Sequence, residues 1–70
     1  MAARLLMAGE MKSLRRYYGV PAKRGGRVAY TWHGRREGRI LSAKDHKFYV
    51  RFDDGERVGP FHPTWEIEYL

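Results

Sequence analysis

The chain has 70 residues, no cysteine and a formal net charge of +6. Seventy residues are enough for one small domain with a minimal core, and ten aromatic residues (five Tyr, three Phe and two Trp) supply bulk for it. The lack of cysteine excludes disulfides and thiolate metal sites, and no apolar run reaches the roughly 20 residues that cross a bilayer. We therefore expect a soluble, cytoplasmic protein that does not bind membranes.

Residues 1–24 are predicted to form an amphipathic helix followed by a basic connector. One apolar stripe at helical spacing is formed by Met7, Met11, Leu14 and Tyr18. Gly19 and Pro21 are expected to end the helix, because proline cannot continue one. The stripe either covers the open end of the domain that follows or docks on a partner. We favour the first role, since a small core needs every available apolar side chain.

Residues 25–70 are predicted to form a β domain, because the apolar period changes to two. The predicted strands begin at Arg27, run from about Glu37 to Ala43, cover "KFYVRF" at 47–52, run from Glu56 to Phe61, and close the chain. The side chains expected to face inward are Val28, Tyr30, Trp32, Ile40, Phe48, Val50, Phe52 and Val58, with Trp65, Ile67 and Tyr69 on one side of the last strand. Short strands in so few residues favour a closed barrel, which leaves no exposed edges.

The connections between these strands carry turn residues. In "HGRREG" at 33–38, Gly34 and Gly38 are expected to adopt positive φ in a loop. Residues 44–46 form a polar turn, and the Asp-Gly step in "DDG" at 53–55 is typical of a tight hairpin.

Several of these segments resemble small SH3-like barrels. One set of residues resembles the KOW pattern, a hairpin signature of ribosomal and transcription-elongation proteins: Gly26, Val28, Gly34, Gly38 and Ile40. "YVRFDDGERV" is similar to the third and fourth strands of Tudor-type barrels, and "HPTWEIEYL" to the closing turn and strand of SH3 domains. The resemblance implies a mostly β, SH3-like small barrel of five short antiparallel strands with a short N-terminal helix. The whole chain also resembles short proteins of bacteriophages and prophages, and neither resemblance assigns a function.

The sequence contains no catalytic pattern. Ser13 and Ser42 lack a nucleophile motif, the three histidines lack metal-ligand spacing, and no glycine-rich phosphate loop is present. We therefore expect a binding module rather than an enzyme, with no metal or cofactor.

The distribution of charge predicts an anionic partner. Residues 1–36 hold nine Lys or Arg against Glu10 alone, whereas residues 37–70 hold five against seven acids. Nucleic acid, either DNA or RNA, is the commonest such partner, although the charge also suits a role in solubility alone. The predicted nucleic-acid-binding residues are Lys23, Arg24, Arg27, Arg35, Arg36, Arg39, Lys47, Tyr49 and Arg51. Among them, Tyr49 stands between two cations on one strand, where a base could stack while the cations hold phosphates.

The alternative prediction is a protein-docking role on a phage or host protein. An aromatic cleft for a peptide would use Tyr30, Trp32, Tyr49 and Trp65. Tyr30 and Trp32 are, however, expected in the core, and the same inward placement of most aromatics argues against a methyl-lysine cage. The acids Asp53, Asp54 and Glu56 lie close to the basic residues and would oppose phosphate.

Overall fold

A computed structural model describes residues 2–70, with side chains from residue 9 onward. These residues form α1 (Ala2–Tyr18), β1 (Arg27–Tyr30), β2 (Arg36–Lys44), β3 (Lys47–Phe52), β4 (Arg57–Phe61) and β5 (Ile67–Tyr69). The five strands are antiparallel and make one sheet in the order β4–β3–β2–β1–β5. The predicted mostly β class with an N-terminal helix is confirmed.

The sheet resembles a small barrel but is not closed. β4 and β5 are its edges, and no ladder joins them within the part of the chain that the structure describes. The expectation of a closed barrel is therefore wrong. Both edges offer few backbone groups that could hydrogen-bond to another strand. β5 has only three residues, and Pro60 in β4 has no backbone N–H to donate.

The core lies between the inner face of the sheet and α1. Its buried members are Met11, Leu14, Ala22, Val28, Ile40, Phe48, Val50 and Phe52. β3 supplies three of them by strict alternation of buried and exposed residues, as predicted. Tyr30 also packs against this core and lies 4.6 Å from the ring of Phe61.

α1 packs on the sheet rather than extending away from it. Met11 and Leu14 are buried in the core and Tyr18 is partly buried, so the predicted covering role is confirmed for these residues. The side chain of Met7 lies outside the described residues. Gly19 ends the helix at a φ of 65° and donates to the carbonyl of Arg15 at 2.8 Å. Among the described residues, no helix combines the length and apolarity needed to cross a membrane.

Trp32, predicted to face inward, is exposed, and so is Trp65, which was predicted to share one side of the last strand with Ile67 and Tyr69. β1 ends at Tyr30, so Trp32 lies in the following loop and its exposed fraction is 56%. Trp65 precedes β5 and is 70% exposed, because the chain turns at Glu66, whose φ is 55°. In the sequence, the alternation of apolar residues continues past the ends of these strands. The hydrogen bonding between strands stops before it.

The turn predictions are largely confirmed. Asp45 and His46 both have positive φ, 55° and 61°, in the two-residue turn between β2 and β3, and Gly55 at 94° follows β3. Gly34 has a φ of 121°, as expected. The expected loop role of Gly38 is wrong: it is buried within β2, where an added Cβ would lie 2.5 Å from the carbonyl oxygen of Arg51. A glycine here lets β2 approach β3 closely.

Candidate nucleic-acid interface

Four arginines stand in a line across the outer face of the sheet. The strand register places Arg27 opposite Arg39, Arg39 opposite Arg51, and Arg51 opposite Arg57. Directly opposite residues of antiparallel strands point to the same face of the sheet. The line therefore crosses β1, β2, β3 and β4 on the face turned away from the core.

The β1 end of this line is neutralised by carboxylates. Arg27 donates to Asp53 at 2.7 and 3.0 Å and to Glu37 at 2.9 Å. Arg35 donates to the second oxygen of Glu37 at 3.2 Å and to Glu68 at 3.1 Å. We call these five residues the paired cluster.

The arginines of the paired cluster favour the ionised form of two of its carboxylates, Asp53 and Glu37. Hydrogen bonds from Arg27 lower the pKa of Asp53, and hydrogen bonds from Arg27 and Arg35 lower the pKa of Glu37. The same bonds to Asp53 and Glu37 raise the pKa of Arg27. The cluster also surrounds Ala29, which is fully buried although it faces outward between Glu37 and Glu68. The side chains of the paired cluster therefore cover a buried residue of the sheet.

Arg36 is paired separately, at the end of the core. Its guanidinium donates to Glu56 at 2.8 Å and to Asp54 at 3.0 Å. The guanidinium carbon also lies 3.9 Å from the ring centroid of Phe52, a cation–π distance. The pKa of Asp54 is lowered first by a hydrogen bond from the backbone of Glu56 and further by Arg36. Arg36 thus closes one end of the core.

The other three arginines of the line form no ion pair with a described carboxylate. We call Arg39, Arg51 and Arg57 the unpaired row, because no described carboxylate lies within 4.0 Å of their side-chain nitrogens. All three are exposed. Arg39 is positioned by one hydrogen bond to the carbonyl oxygen of Gly25 at 3.0 Å. Like charges directly opposite each other destabilise a sheet, so this row is expected to favour an anion.

The positive surface continues along the outer face of β3. Tyr49 and Lys47 follow Arg51 at two-residue steps, and Lys47 stands opposite Lys44. The side chain of Tyr49 is packed beside Gly59, where an added Cβ would lie 2.6 Å from its ring, and the residue is 36% exposed. From Arg51 to Lys47 the strand rises about 13 Å. We call the unpaired row together with Tyr49, Lys47 and Lys44 the outer strip. It contains one aromatic ring among cations.

A shallow hollow of about 600 Å³ adjoins the unpaired row. Its lining includes Arg24, Arg39, Arg51 and one acid, Asp53. Asp53 is held by Arg27, so it marks the boundary between the paired cluster and the row. Three of the four charged residues that line the hollow are therefore cations that form no ion pair with a described carboxylate.

The structure brings together part of the predicted set and separates the rest. The outer strip contains Arg39, Lys47, Tyr49 and Arg51, and Arg24 lines the adjoining hollow, whereas Arg27, Arg35 and Arg36 each bind carboxylates. Lys23 lines a different hollow, beside Arg15 and Tyr69. Sequence reasoning missed Arg57 and Lys44. The "DDG" turn could have identified Arg57 as a site residue. A tight turn there pairs Phe52 with Glu56, and this register places Arg51 opposite Arg57.

Comparison with known proteins adds no further assignment. No protein-family model, curated protein or solved structure matches this chain. Among the described residues, no group of three or more His, Cys, Asp or Glu is arranged to hold a metal ion. The resemblance to SH3-like, KOW-type and phage proteins therefore stays a prediction, and the site is judged by its own chemistry.

Proposed function

We propose that this protein is a nucleic-acid-binding module that uses the outer face of β2, β3 and β4. The observation that carries the proposal is the unpaired row, three arginines on adjacent strands that form no ion pair with a described carboxylate. Antiparallel strands lie about 4.8 Å apart, so the row spans about 10 Å. A chain of phosphates supplies negative charge over that distance, and its binding relieves the repulsion within the row.

The aromatic ring in the strip supports nucleic acid over a simple anion. Tyr49 lies between Lys47 and Arg51 on the same face of β3. A nucleobase can stack on such a ring while neighbouring cations contact the phosphates. An inorganic anion would use the arginines but gain nothing from the ring.

The acids near the strip oppose phosphate less than the sequence suggested. Asp53 binds Arg27, while Asp54 and Glu56 bind Arg36. Each carboxylate therefore has a cation within hydrogen-bonding distance, which reduces its field at the strip. For the same reason a phosphate would have to displace a carboxylate to reach Arg27, Arg35 or Arg36, so the proposal gives these three a supporting role.

The proposal is tested by the salt dependence of binding. The fluorescence anisotropy of labelled 12-mer oligonucleotides, single-stranded and duplex, is measured between 50 and 200 mM salt. Four phosphate contacts on a single strand give a slope of about −2.8 and an affinity loss of about 50-fold over that range. Failure to bind either oligonucleotide at 50 mM salt would falsify the proposal.

A protein-docking role is the second candidate, supported by the exposure of Trp65. Its indole stacks on the ring of His62 at 5.0 Å, on the surface beside Tyr18. Exposed tryptophans often act as anchors in protein interfaces. This role predicts a complex with one defined protein that survives nuclease treatment and is lost in Trp65→Ala, while Arg51→Gln leaves it intact.

A further inference from the structure

A second aromatic surface lies where α1 meets the β2–β3 turn. The ring of Tyr17 stacks on that of His46, with centroids 4.7 Å apart and an angle of 17° between the planes. Ser13 lies 3.4 Å from the Nε2 atom of His46. One face of Tyr17 is therefore covered by the imidazole, while the residue as a whole is 69% exposed. The ring of Tyr18 lies 4.8 Å away at an angle of 72°, and the exposed part of Tyr17 is the surface that a base could stack on.

Two cations of α1 line a hollow together with this ring. Lys12 and Arg16 are one helical turn apart on the same side of α1, and with Gly9, Ser13 and Tyr17 they line a shallow hollow of about 490 Å³. No acidic side chain contributes to the lining of this hollow among the described residues. We call Lys12, Arg16, Tyr17 and His46 the helix platform.

The helix platform adjoins the end of the outer strip. Lys44 and Lys47 face each other immediately before and after the turn that contains His46. Moving along β3 from Arg51, a bound polymer would meet Tyr49, then this lysine pair, and then the stacked Tyr17. Cations and aromatic rings alternate along this path. That order suits a chain whose phosphates and bases both need contacts.

Resting on the proposed function, we infer that the ligand is a single-stranded nucleic acid that runs along β3 and onto α1, with bases stacked on Tyr49 and Tyr17. Stacking on protein rings requires bases with a free face, which a continuous duplex does not offer. A duplex could contact the unpaired row through phosphates alone. The helix platform therefore favours a single-stranded ligand over a duplex.

The first test removes the stacking ring. In Tyr17→Leu, affinity for a single-stranded 12-mer should fall about tenfold, whereas Tyr17→Phe, which keeps the ring, should bind like the unmodified protein. Thermal unfolding of both variants checks that α1 still packs on the sheet. Equal binding by Tyr17→Leu and Tyr17→Phe, or tighter binding of duplex than of single strand by the unmodified protein, would overturn the inference.

The second test counts phosphates on α1. The double variant Lys12→Gln with Arg16→Gln should make the single-strand salt slope shallower by about 1.4, which corresponds to two lost contacts. Lys23→Gln, which removes a charge away from the path, should leave the slope unchanged. An unchanged slope in the double variant contradicts the inference.

The third test maps the path directly and separates the two proposals. Single-stranded oligonucleotides carrying 5-iodouracil are cross-linked by light, and the protein is digested with trypsin. The inference requires cross-links in the peptides 17–23 and 48–51, which contain Tyr17 and Tyr49. Cross-links in 48–51 alone would overturn the path onto α1 and leave the proposed function standing. Absence of any binding at 50 mM salt would overturn both.

Discussion

The paired cluster and the unpaired row occupy the same face of one sheet and use the same residue type, yet their arginines have opposite surroundings. Arg27 is held by Asp53 and Glu37, whereas Arg51, two strands away, has no described carboxylate beside it. The difference comes from strand pairing, which places Glu37 and Glu68 opposite Ala29 on β1, whereas Arg51 stands opposite Arg39 and Arg57. An arginine's availability thus depends on its neighbours across the ladder.

This comparison assigns different tasks to the two regions. Exposed ion pairs are individually weak, but the paired cluster links three strands and the β3–β4 turn around a buried alanine. The unpaired row forms no described ion pair, and its arginines repel one another across the strands. We expect the paired cluster to matter for stability and the unpaired row for binding.

The largest expected effect comes from comparing two double variants, one that removes two arginines of the unpaired row and one that removes two arginines bound to carboxylates. Arg51→Gln with Arg57→Gln should weaken single-strand binding about 50-fold at 50 mM salt, because two phosphate contacts are lost. The matched double variant Arg35→Gln with Arg36→Gln should change affinity less than about threefold. Anisotropy titrations on the two variants give the comparison.

Thermal unfolding of the same two proteins should rank them in the opposite order. Arg35→Gln with Arg36→Gln loses four ion pairs and should unfold at a lower temperature. Arg51→Gln with Arg57→Gln loses no described ion pair and should unfold at the original temperature or above it. If the paired arginines instead dominated binding, the division between the two regions would be wrong.

The sequence predicted the fold well where a local pattern carried the information. β3 was predicted residue for residue, because six residues alternate without interruption, and the helix end followed from Gly19 and Pro21. The predictions of a closed barrel, of an inward Trp32 and of Trp65 within the last strand were wrong for one reason: alternation in the sequence does not reveal where hydrogen-bonded pairing stops. Trp32 and Trp65 continue the pattern beyond the ends of β1 and before β5.

The candidate site was only half predictable. Listing basic residues found Arg39 and Arg51, but it could not separate them from Arg27, because the carboxylate partners of Arg27 are 10 and 26 residues away. Partners at such separations depend on the register of three strands. Arg57 could have been found, since the length of a hairpin turn fixes which residues face each other.

The next prediction tests the residue between the two regions. Gly38 separates Glu37 of the paired cluster from Arg39 of the unpaired row, and an added Cβ would meet backbone atoms of Arg51 and Phe52 at 2.5 and 2.8 Å. Gly38→Ala should therefore destabilise the fold by about 1–3 kcal/mol in urea unfolding. Gly9→Ala, which enters open space on α1, should instead stabilise it by up to about 1 kcal/mol. Similar results for both would mean that β2 and β3 are not closely packed here.

Acid should weaken the stabilisation of the fold by the paired cluster, and it should leave the contribution of the unpaired row unchanged. The pKa values of Glu37 and Asp53 are lowered in the folded protein by bonds from Arg27, so the unfolded chain binds protons at higher pH than the folded one. Stability is complete above the unfolded pKa values and should decline below about pH 5 as the pH falls through the folded ones. Thermal unfolding between pH 7 and 3 measures this. Arg27→Gln should flatten the profile, whereas Arg51→Gln should retain it.

The smallest expected effect concerns Asp45, the acid in the turn between Lys44 and Lys47. Asp45→Asn removes a negative charge beside the lysine pair and keeps a residue type that tolerates the φ of 55°. Affinity for a single strand should rise about threefold at 50 mM salt and lose that gain at 200 mM, because the effect is electrostatic. Glu66→Gln changes net charge equally but lies near β5, away from the strip, so it should leave affinity unchanged. If both variants gained affinity equally, the polymer would be responding to total charge, and the contrast between the paired cluster and the unpaired row would lose its meaning for binding.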